Sequence, residues 1–534
     1  MKKITALSLV IAASMGVSTA CSDKEKTTGQ GATATVTPST STSTPSTSLA
    51  KIPLKLFISA NNASASLPQN PADDFVKKAI EEKFNVTLDV NYMLPGTDYT
   101  NKINAMIAGN DAPDFWRDSN GDGGNKYALT GILADMTPYV SPSTMPNYFK
   151  YWITQEELKL YQIQNQFIRI PLAYDKNVYR SYYIRKDWLD KLGLKVPSSY
   201  DEYFKVLKAF TENDPDGNGK KDTYGFTTAG GGTSLSLDWP EWIKNGLTYP
   251  SFAENNKYID MQTDARVQQV VDDIVKVIGE GVIDPDWFLN KAANVLDKAV
   301  PGRVGVVIGN TKDFAYDSMS QSLQSKSKAI NPNANWVAFN PLGNVALRTA
   351  PSAGSPILFS KSAAEKNPEK LKRAVMVLDW LAGEEGYLLT HYGVEGKHYT
   401  RKGNVITLNI EARDTDITKK GDFLEIWNFF APYTPEVFGL QVIDPRESDR
   451  DRELYKFITS IPVRPNVGAG LAPPEGVDLG AFRARQNELH VKMVLEEKSG
   501  KNWPIYREEV LNKYKGKLIF DAYETQMRAA GLIK

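Results

Sequence analysis

The residues best equipped for chemistry form one short polar stretch, residues 214–222, with the sequence Asp-Pro-Asp-Gly-Asn-Gly-Lys-Lys-Asp. Its oxygen donors fall at alternate positions, four as side chains and one as the inward backbone carbonyl of a lysine: Asp214, Asp216, Asn218, Lys220 and Asp222. A hard divalent cation needs several oxygens at about 2.3–2.6 Å, and a tightly wound loop supplies them from alternate positions. The pattern therefore predicts a Ca²⁺ site, because three crowded carboxylates would otherwise repel one another.

The stretch also resembles two other kinds of loop, a polar surface turn and an EF-hand. Gly217 and Gly219 permit tight winding, but the same composition is typical of a plain polar surface turn. An EF-hand is excluded because its twelfth position requires Glu, and Gly225 stands there. The alternatives are thus a calcium loop outside the EF-hand class and a turn without metal.

Signals for catalysis are sparse elsewhere. The three histidines are scattered at His391, His398 and His490, and the sequence has no Gly-x-Ser-x-Gly, His-Glu-x-x-His or Walker pattern. Adjacent carboxylates at 272–273 and 384–385 would splay apart on a helix, which favours solvated faces. We predict no enzyme activity. A glycoside hydrolase stays an alternative, because carboxyls about 5–9.5 Å apart in space cannot be recognised in a sequence.

Composition excludes further classes. The 63 basic and 63 acidic residues cancel, so we expect no nucleic-acid partner. A chain of 534 residues is too long for one ordinary core and predicts at least two lobes. Ten Trp and 25 Tyr leave aromatic rings available for stacking on a ligand.

The amino terminus has the features of an export signal. Residues 1–20 combine Lys2 and Lys3 with an apolar run too short to span a membrane. The only cysteine, Cys21, follows at once and predicts lipidation, although Ser18 stands where a bacterial lipobox usually has Leu. An ordinary cleaved secretory signal is the alternative. Residues 21–50, rich in Ser, Thr and Pro, predict a lipid-anchored flexible linker.

From about residue 51 the hydrophobic pattern alternates between strand and helix. Residues 52–58 and 86–90 alternate as buried strands do, and between them Asn70-Pro71 precedes an apolar helical stripe. Another strand begins at residues 112–115. This order predicts an α/β fold with mostly parallel, helix-flanked sheets. In such sheets a ligand binds beyond the carboxyl ends of the strands.

Several stretches in a fixed order resemble extracellular solute-binding proteins of family 1, and more narrowly the large lipoprotein branch that feeds oligosaccharides to ABC importers. They are Tyr-Ile-Arg-Lys-Asp-Trp-Leu at 183–189, Lys-Leu-Gly-Leu at 191–194, Ser-Tyr-Asp-Glu-Tyr at 199–203, the loop at 214–222, Gly-Val-Ile-Asp-Pro at 281–285, Gly-Arg-Val-Gly at 302–305 and Tyr-Gly-Val-Glu-Gly-Lys-His-Tyr at 392–399. The resemblance covers about residues 50 to 530.

The resemblance implies a two-lobe, periplasmic-binding-protein-like fold of type II, with a ligand cleft between the lobes. Residues 51–168 with about 342–400 would form lobe 1, and residues 169–341 with about 401–534 would form lobe 2. The chain would act as a monomer on the extracytoplasmic face of the cell membrane, held there by lipid alone. It would capture an oligosaccharide by hinge closure and pass it to the permease subunits of an ABC importer. A peptide- or signal-binding lipoprotein of the same fold is the remaining alternative.

The resemblance also implies a structural role for Ca²⁺. Alginate-binding members hold calcium with a loop like 214–222 and an acidic residue after its last Asp. Here Thr223 stands at that position, which leaves the sixth ligand to water or to bidentate Asp222.

A sugar binder needs aromatic platforms beside polar groups, because sugars present apolar C–H faces and hydroxyl edges. Each ring could equally be a core residue, since buried Trp is common. The candidates for ligand contact are Trp116, Trp239, Trp242, Asp238, Tyr392, Glu395 and Trp427.

Overall fold

The computed structural model describes residues 50–534 except 61–64, 119–123, 125–126, 129, 160, 163–166, 352–355, 468–470 and 472. The predicted signal, Cys21 and almost all of the predicted linker therefore lie outside the described residues. Among the described residues, no helix combines the length and the apolar character needed to cross a membrane.

The strands of the described chain are β1 (Ile52–Ser59), β2 (Val86–Met93), β3 (Phe115–Arg117), β4 (Arg169–Ile170), β5 (Ser181–Arg185), β6 (Tyr224–Phe226), β7 (Ser251–Glu254), β8 (Lys257–Asp260), β9 (Val304–Gly309), β10 (Trp336–Phe339), β11 (Ile357–Phe359), β12 (Tyr399–Lys402), β13 (Val405–Leu408) and β14 (Gln441–Ile443).

Its α-helices are α1 (Phe75–Phe84), α2 (Thr97–Ala108), α3 (Pro146–Tyr151), α4 (Gln155–Lys159), α5 (Lys186–Lys191), α6 (Tyr200–Glu212), α7 (Pro240–Lys244), α8 (Val267–Gly279), α9 (Ala292–Ala299), α10 (Leu323–Ile330), α11 (Lys361–Lys366), α12 (Glu369–Leu381), α13 (Glu384–His391), α14 (Ile410–Asp416), α15 (Leu424–Trp427), α16 (Asp449–Ser460), α17 (Leu479–Lys492), α18 (Trp503–Asn512) and α19 (Gly516–Ala529). A π-helical turn, Met493–Glu497, extends α17.

The first sheet has the strand order β2-β1-β3-β11-β4. Strand β1 pairs in parallel with β2 and β3, whereas β11 pairs antiparallel with β3 and β4. Because side chains alternate across a strand, Leu56 joins a core with α1 and α12 while its neighbour Phe57 packs with α2 on the other face. Helices thus cover both faces, as the sequence predicts.

The second sheet has the order β10-β5-β9-β6. Here β5 runs antiparallel to both of its neighbours, and β6 runs parallel to β9. Tyr182 of β5 packs with Val206 of α6 and Val270 of α8, whereas Tyr183 faces a separate core with Leu323 of α10. Two sheets with separate, helix-covered cores confirm the predicted two-lobe α/β fold.

Two chain segments connect the sheets, and at each sheet both segments meet the same edge. Residues 171–180 join β4 to β5, and residues 340–356 join β10 to β11. By their register these segments leave the first sheet at the edge where β1, β2 and β3 end. They enter the second sheet at the edge where β6 and β9 end. Both crossovers therefore link carboxyl edge to carboxyl edge.

The last quarter of the chain is shared between the two lobes. Side chains from 406–440, such as Phe423 and Leu440, belong to the core of the first sheet, although the sequence assigns this segment to lobe 2. From α16 onward the chain packs with the second sheet, where Ile458 and Trp503 join its cores. The exact lobe boundaries stay a prediction, and this packing would move the boundary near residue 400 to after residue 440.

Candidate functional site

Polar side chains gather at the carboxyl edge of the second sheet around Arg180. This residue directly precedes β5, only 4% of it is exposed, and Asn310 directly follows the neighbouring strand β9. The Arg180 guanidinium donates to Asn310 Oδ1 at 3.0 Å, to Asp238 Oδ1 at 2.9 Å and to the carbonyl of Leu237 at 3.1 Å. Antiparallel pairing of β5 with β9 brings these groups from distant parts of the sequence to one place.

The ring of Tyr249 lies near two arginine side chains at this edge. The guanidinium carbon of Arg180 lies 5.5 Å from the centroid of its ring, and that of Arg348 lies 5.2 Å from it. Burial lowers the pKa of the Arg348 guanidinium; Tyr249 opposes this shift, and the positive charge of Arg180 adds to it. Arg180 comes from the end of the first crossover and Arg348 from the second, so both lie where the chain passes between sheets.

A layer of buried aromatic rings supports this cluster. Tyr182 donates its hydroxyl hydrogen to the carbonyl of Asp238 at 2.7 Å. Trp239, only 1% exposed, packs edge-on against Phe226 at 5.7 Å and Trp287 at 5.2 Å between ring centroids. The rings fix the backbone at Asp238 and hence the acceptor that orients the Arg180 guanidinium.

The buried carboxyl group of Glu241 lies on α7, three residues after Asp238 in the sequence. It accepts a hydrogen bond from the hydroxyl of Tyr200, and only 1% of the residue is exposed. Burial raises the pKa of Glu241 to about 7, against the lowering effect of the Tyr200 hydrogen bond. The helix that begins after Trp239 thus carries a carboxyl group that titrates near neutral pH.

The carboxyl edge of the first sheet carries a second polar group of residues. Arg117, at the end of β3, donates to the carbonyl of Ser59 at the end of β1 at 3.1 Å. Tyr99 donates its hydroxyl hydrogen to the carbonyl of Arg117 at 2.5 Å, and Asp118 is buried beside it. Burial also lowers the pKa of the Arg117 guanidinium. The two carboxyl edges that the crossovers connect therefore each hold an arginine, buried at Arg180 and half-buried at Arg117.

Three of the predicted ligand contacts lie at these edges. Asp238 and Trp239 belong to the Arg180 cluster; the side chain of Asp238 is half-buried, and Trp239 is buried. Trp116 lies on β3 at the first edge, where its ring packs edge-on against Tyr127 at 5.9 Å and is 1% exposed. Neither indole offers an open face in this structure, so their contact with a ligand stays a prediction.

The other predicted contacts lie elsewhere. Trp242 and Trp427 are fully buried, and their indole N–H groups donate to the carbonyl of Ser236 at 3.0 Å and to Asp74 Oδ2 at 3.0 Å. Tyr392 is buried among aromatic rings at the end of α13. These three rings fill core positions and present no stacking surface here. Their role as ligand contacts stays a prediction, and the observed packing disfavours it.

Glu395 is exposed and lines a surface cavity of about 880 Å³. The cavity lies between α1, the α12–α13 region and β12, rather than at strand ends, and it contains the pairs Arg401–Glu384 and Lys83–Glu385 at 2.5 and 2.9 Å. A ligand role for Glu395 therefore stays a prediction that concerns a different surface from the Arg180 cluster.

The predicted metal loop connects α6 to β6 and is exposed to solvent. Asp214 Oδ1 accepts the backbone N–H groups of Gly217 and Asn218, each at 3.0 Å. The Asn218 amide donates to Asp216 Oδ2 at 2.8 Å and to Asp222 Oδ1 at 3.0 Å, and Lys220 donates its N–H to Asn218 Oδ1 at 2.7 Å. The loop is thus wound as predicted, with its side-chain oxygens turned toward one another.

The chemistry of this donor set fits a hard cation, because every predicted ligand is an oxygen. The present geometry is that of a hydrogen-bonded loop: within the described chain, no three His, Cys, Asp or Glu side chains are arranged to hold a metal ion. The Asn218 amide nitrogen bridges two carboxylates, Asp216 and Asp222, that a cation would otherwise draw together. Metal binding at this loop therefore stays a prediction.

Sequence reasoning missed Arg180, Tyr249, Asn310 and Arg348. Each is isolated in the sequence and belongs to no motif, so composition and spacing give no signal for it. A positional signal could have found Arg180 and Asn310, because each lies directly beside a strand end. Using it requires the strand order, which places β5 beside β9 and the crossovers above both.

Comparison with known proteins gives the family. The model of the family described as bacterial extracellular solute-binding protein matches residues 76–390, more than half of the chain. The lipoprotein LipO of Bacillus subtilis is 28% identical over 349 residues, which are 64% of this chain and 67% of that protein. The polygalacturonan/rhamnogalacturonan-binding protein YtcQ of the same organism is 27% identical over 349 residues, 62% of this chain and 65% of that protein.

Solved structures confirm the fold over most of the chain. A solute-binding protein from Bifidobacterium longum infantis, described as associated with an ABC transporter that binds HMO, superposes with a TM-score of 0.68 at 17% identity, covering 91% of this chain and all of that one. The alginate-binding protein AlgQ2, solved without calcium ion, superposes with a TM-score of 0.63 at 17% identity, covering 90% of this chain and 98% of that one.

Proposed function

The chain belongs to the bacterial extracellular solute-binding proteins, and on that premise we propose that it captures an oligosaccharide between the carboxyl edges of its two sheets and delivers it to an ABC importer. The observation that carries the proposal is the Arg180 cluster, a set of hydrogen-bonding and aromatic groups placed where the crossovers enter the second sheet. Ligands of open α/β sheets bind beyond such carboxyl edges. Relatives named for binding polygalacturonan or rhamnogalacturonan add support.

Hinge closure is the proposed mechanism. The two crossovers connect the ligand-facing edges, so small backbone rotations within 171–180 and 340–351 would open or close the space between them. A sugar that contacts both the Arg180 cluster and the Arg117 edge has more contacts in the closed state, and this differential affinity shifts the population toward closure. A membrane permease would then recognise the closed form.

The rivals are a carbohydrate-active enzyme and a peptide- or signal-binding protein of the same fold. We propose that no bond is broken, in keeping with a family defined by solute binding. Incubation of the purified protein with oligosaccharides, followed by product analysis, tests this. Cleavage of the oligosaccharides would refute the binding proposal. A thermal-shift screen of oligosaccharides and peptides tests the ligand class, because a ligand raises apparent stability by mass action. Stabilisation by peptides alone would overturn the sugar assignment.

Isothermal titration with the best sugar of that screen tests the site. Asp238→Asn keeps the shape of the side chain and removes the charge that holds the Arg180 guanidinium. We expect it to weaken binding at least about 10-fold, since hydrogen bonds to charged groups contribute roughly 1.5–3 kcal/mol. Asp521→Asn, an exposed change on α19, is the matched control and should leave affinity unchanged. Equal affinities in both variants would place the sugar elsewhere.

The loop at 214–222 would hold a structural Ca²⁺. The ligands would be the side chains of Asp214, Asp216, Asn218 and Asp222 with the carbonyl of Lys220. A rotation of the Asn218 amide would replace its nitrogen by its oxygen between the two carboxylates it now bridges. The cation would supply charge neutralisation and would tie the end of α6 to the start of β6.

Cys21 would anchor the protein to the extracytoplasmic face of the membrane through lipid. The basic start, the apolar run and the chain's only cysteine directly after it support this assignment. The linker at 21–50 would then hold the binding lobes near the permease. The similarity to a protein named as a lipoprotein agrees with such an anchor.

A further inference from the structure

We infer that the captured oligosaccharide carries a carboxylate, that is, it contains an acidic sugar, and that Arg348 binds this group beside Arg180. The inference rests on the proposed function, since it names the substrate class of the same site. Positive charge exceeds negative charge around Tyr249. Two guanidiniums lie within 5.5 Å of the ring centroid, and the one carboxylate bonded there, Asp238, is paired with Arg180.

Arg348 is left without a carboxylate partner in the described part of the chain. Its side chain is half-buried, and it forms no ion pair or side-chain hydrogen bond with the residues that the structure describes. The positive charge of Arg180 and the burial both disfavour its charged form, as the lowered pKa of the Arg348 guanidinium reflects. A guanidinium remains charged in proteins, so this arrangement costs stability as long as no anion is present.

Three other buried or half-buried arginines of the second lobe are paired with carboxylates. Arg185 binds Asp187 at 2.6 Å, Arg266 binds Asp264 at 2.7 Å, and Arg483 is paired with buried Asp260. The fold therefore satisfies half-buried guanidiniums internally at several places. The absence of such a partner for Arg348 at the ligand-facing edge points to a ligand that brings the carboxylate with it.

The chemistry of the site favours a sugar acid over other anions. A guanidinium presents a planar fork of N–H donors that fits a carboxylate with two parallel hydrogen bonds. Tyr249 gives an aromatic face and Asn310 an amide next to the two charges, which suit the ring and hydroxyl groups of a sugar. Two sources of carboxylate share this chemistry, a uronic acid within a chain and a sialic acid at its end.

Isothermal titration with four ligands tests the inference: trigalacturonate, sialyllactose and the methyl ester of each. Esterification removes the charge and leaves the sugar in place. We expect one of the two acids to bind at least 10-fold more tightly than its own ester, and its affinity to fall as NaCl rises from 20 to 200 mM while that of the ester does not. The preferred acid identifies the source of the carboxylate.

The variant Arg348→Gln should weaken binding of the preferred acid about 10- to 100-fold and leave binding of its ester unchanged. Arg303→Gln removes the same charge from an exposed position at the other end of β9 and serves as the matched control. Arg348→Lys keeps the charge without the fork and should retain part of the preference. It also supplies the test if the Gln variant fails to fold.

The outcomes separate the inference from the proposed function. Neutral oligosaccharides that bind as tightly as both acids, or an Arg348→Gln variant that weakens acid and ester alike, would overturn the acidic assignment and leave the oligosaccharide proposal standing. If no sugar of any kind binds, acidic or neutral, the proposed function itself fails.

Discussion

Glu241→Gln should remove a pH dependence of stability that is built into the second lobe. Burial raises the pKa of the Glu241 carboxyl group from 4.5 to about 7 in the folded chain. Between these two values the folded state holds a proton that the unfolded state releases, so the free energy of unfolding falls as pH rises. Each pH unit across this window costs about 1.4 kcal/mol, and the whole window about 3 kcal/mol. The stability is fully present below pH 4.5 and lost above about pH 7.

Urea unfolding at pH 5, 6, 7 and 8, followed by tryptophan fluorescence, measures this effect. The buried indoles of Trp239 and Trp242 flank Glu241 in the sequence and report on the lobe. The Gln side chain keeps the acceptor for the Tyr200 hydroxyl group and cannot ionise. We therefore expect the variant to gain stability relative to the parent protein as pH rises from 5 to 8.

Other titrating groups cancel in that difference, which isolates the single carboxyl group. Glu453→Gln, an exposed change on α16, is the matched control. Parallel pH curves for the parent protein and Glu241→Gln would show that the carboxyl group is already ionised at pH 5. That result would refute the reasoning from burial.

Three further results are expected. Removal of Ca²⁺ with EGTA should lower the melting temperature by roughly 5 °C, since a ligand at 100 times its Kd contributes about 2.7 kcal/mol. Sugar affinity measured below the new melting midpoint should stay intact. Loss of sugar binding at unchanged stability would contradict a structural role for the loop at Asp214. Trp242→Ala should destabilise the second lobe by about 3–5 kcal/mol in urea unfolding, while a marginal loss coupled to lost sugar affinity would make Trp242 a ligand contact. Cys21→Ser should move the protein from the membrane fraction to the soluble fraction, and unchanged membrane association would refute lipidation at that residue.

Much of the fold could be predicted because hydrophobic periodicity is a local property. The alternation along residues 52–58 gives β1, and the capping Ser199 with its apolar stripe gives α6, with the Ser199 hydroxyl accepting from the N–H of Glu202. The packing of residues 406–440 with the first lobe, and of the later chain with the second, could not be predicted in this way. It depends on which core the apolar side chains of 406–440 enter, and both cores accept the same residue types.

The site was less predictable, and the reason lies in the double role of aromatic rings. Trp242 stands in a polar stretch of the sequence, which suggests a stacking surface. In the fold its N–H group donates to the carbonyl of Ser236, so the polar neighbour supports burial instead of a ligand contact. The N–H group of Trp427 is satisfied by Asp74, which lies far away in the sequence. Asp238 could be singled out because it adjoins this stretch, whereas its partner Arg180 is 58 residues away and becomes visible only through the pairing of the strands.

The winding of the loop at 214–222 follows from its sequence, and the topology of the second sheet decides what such a loop can influence. The loop enters β6 at its amino end, whereas the Arg180 cluster lies at the edge where β6 and β9 end. Strand β6 is three residues long, about 10 Å, and Thr223 already ties the loop to α6 through a 2.7 Å hydrogen bond to the carbonyl of Phe210. A cation there would stiffen the amino end of the sheet and contact no group of the ligand edge. Binding and metal should therefore couple only through the stability of the lobe, which is why stability and affinity must be measured separately.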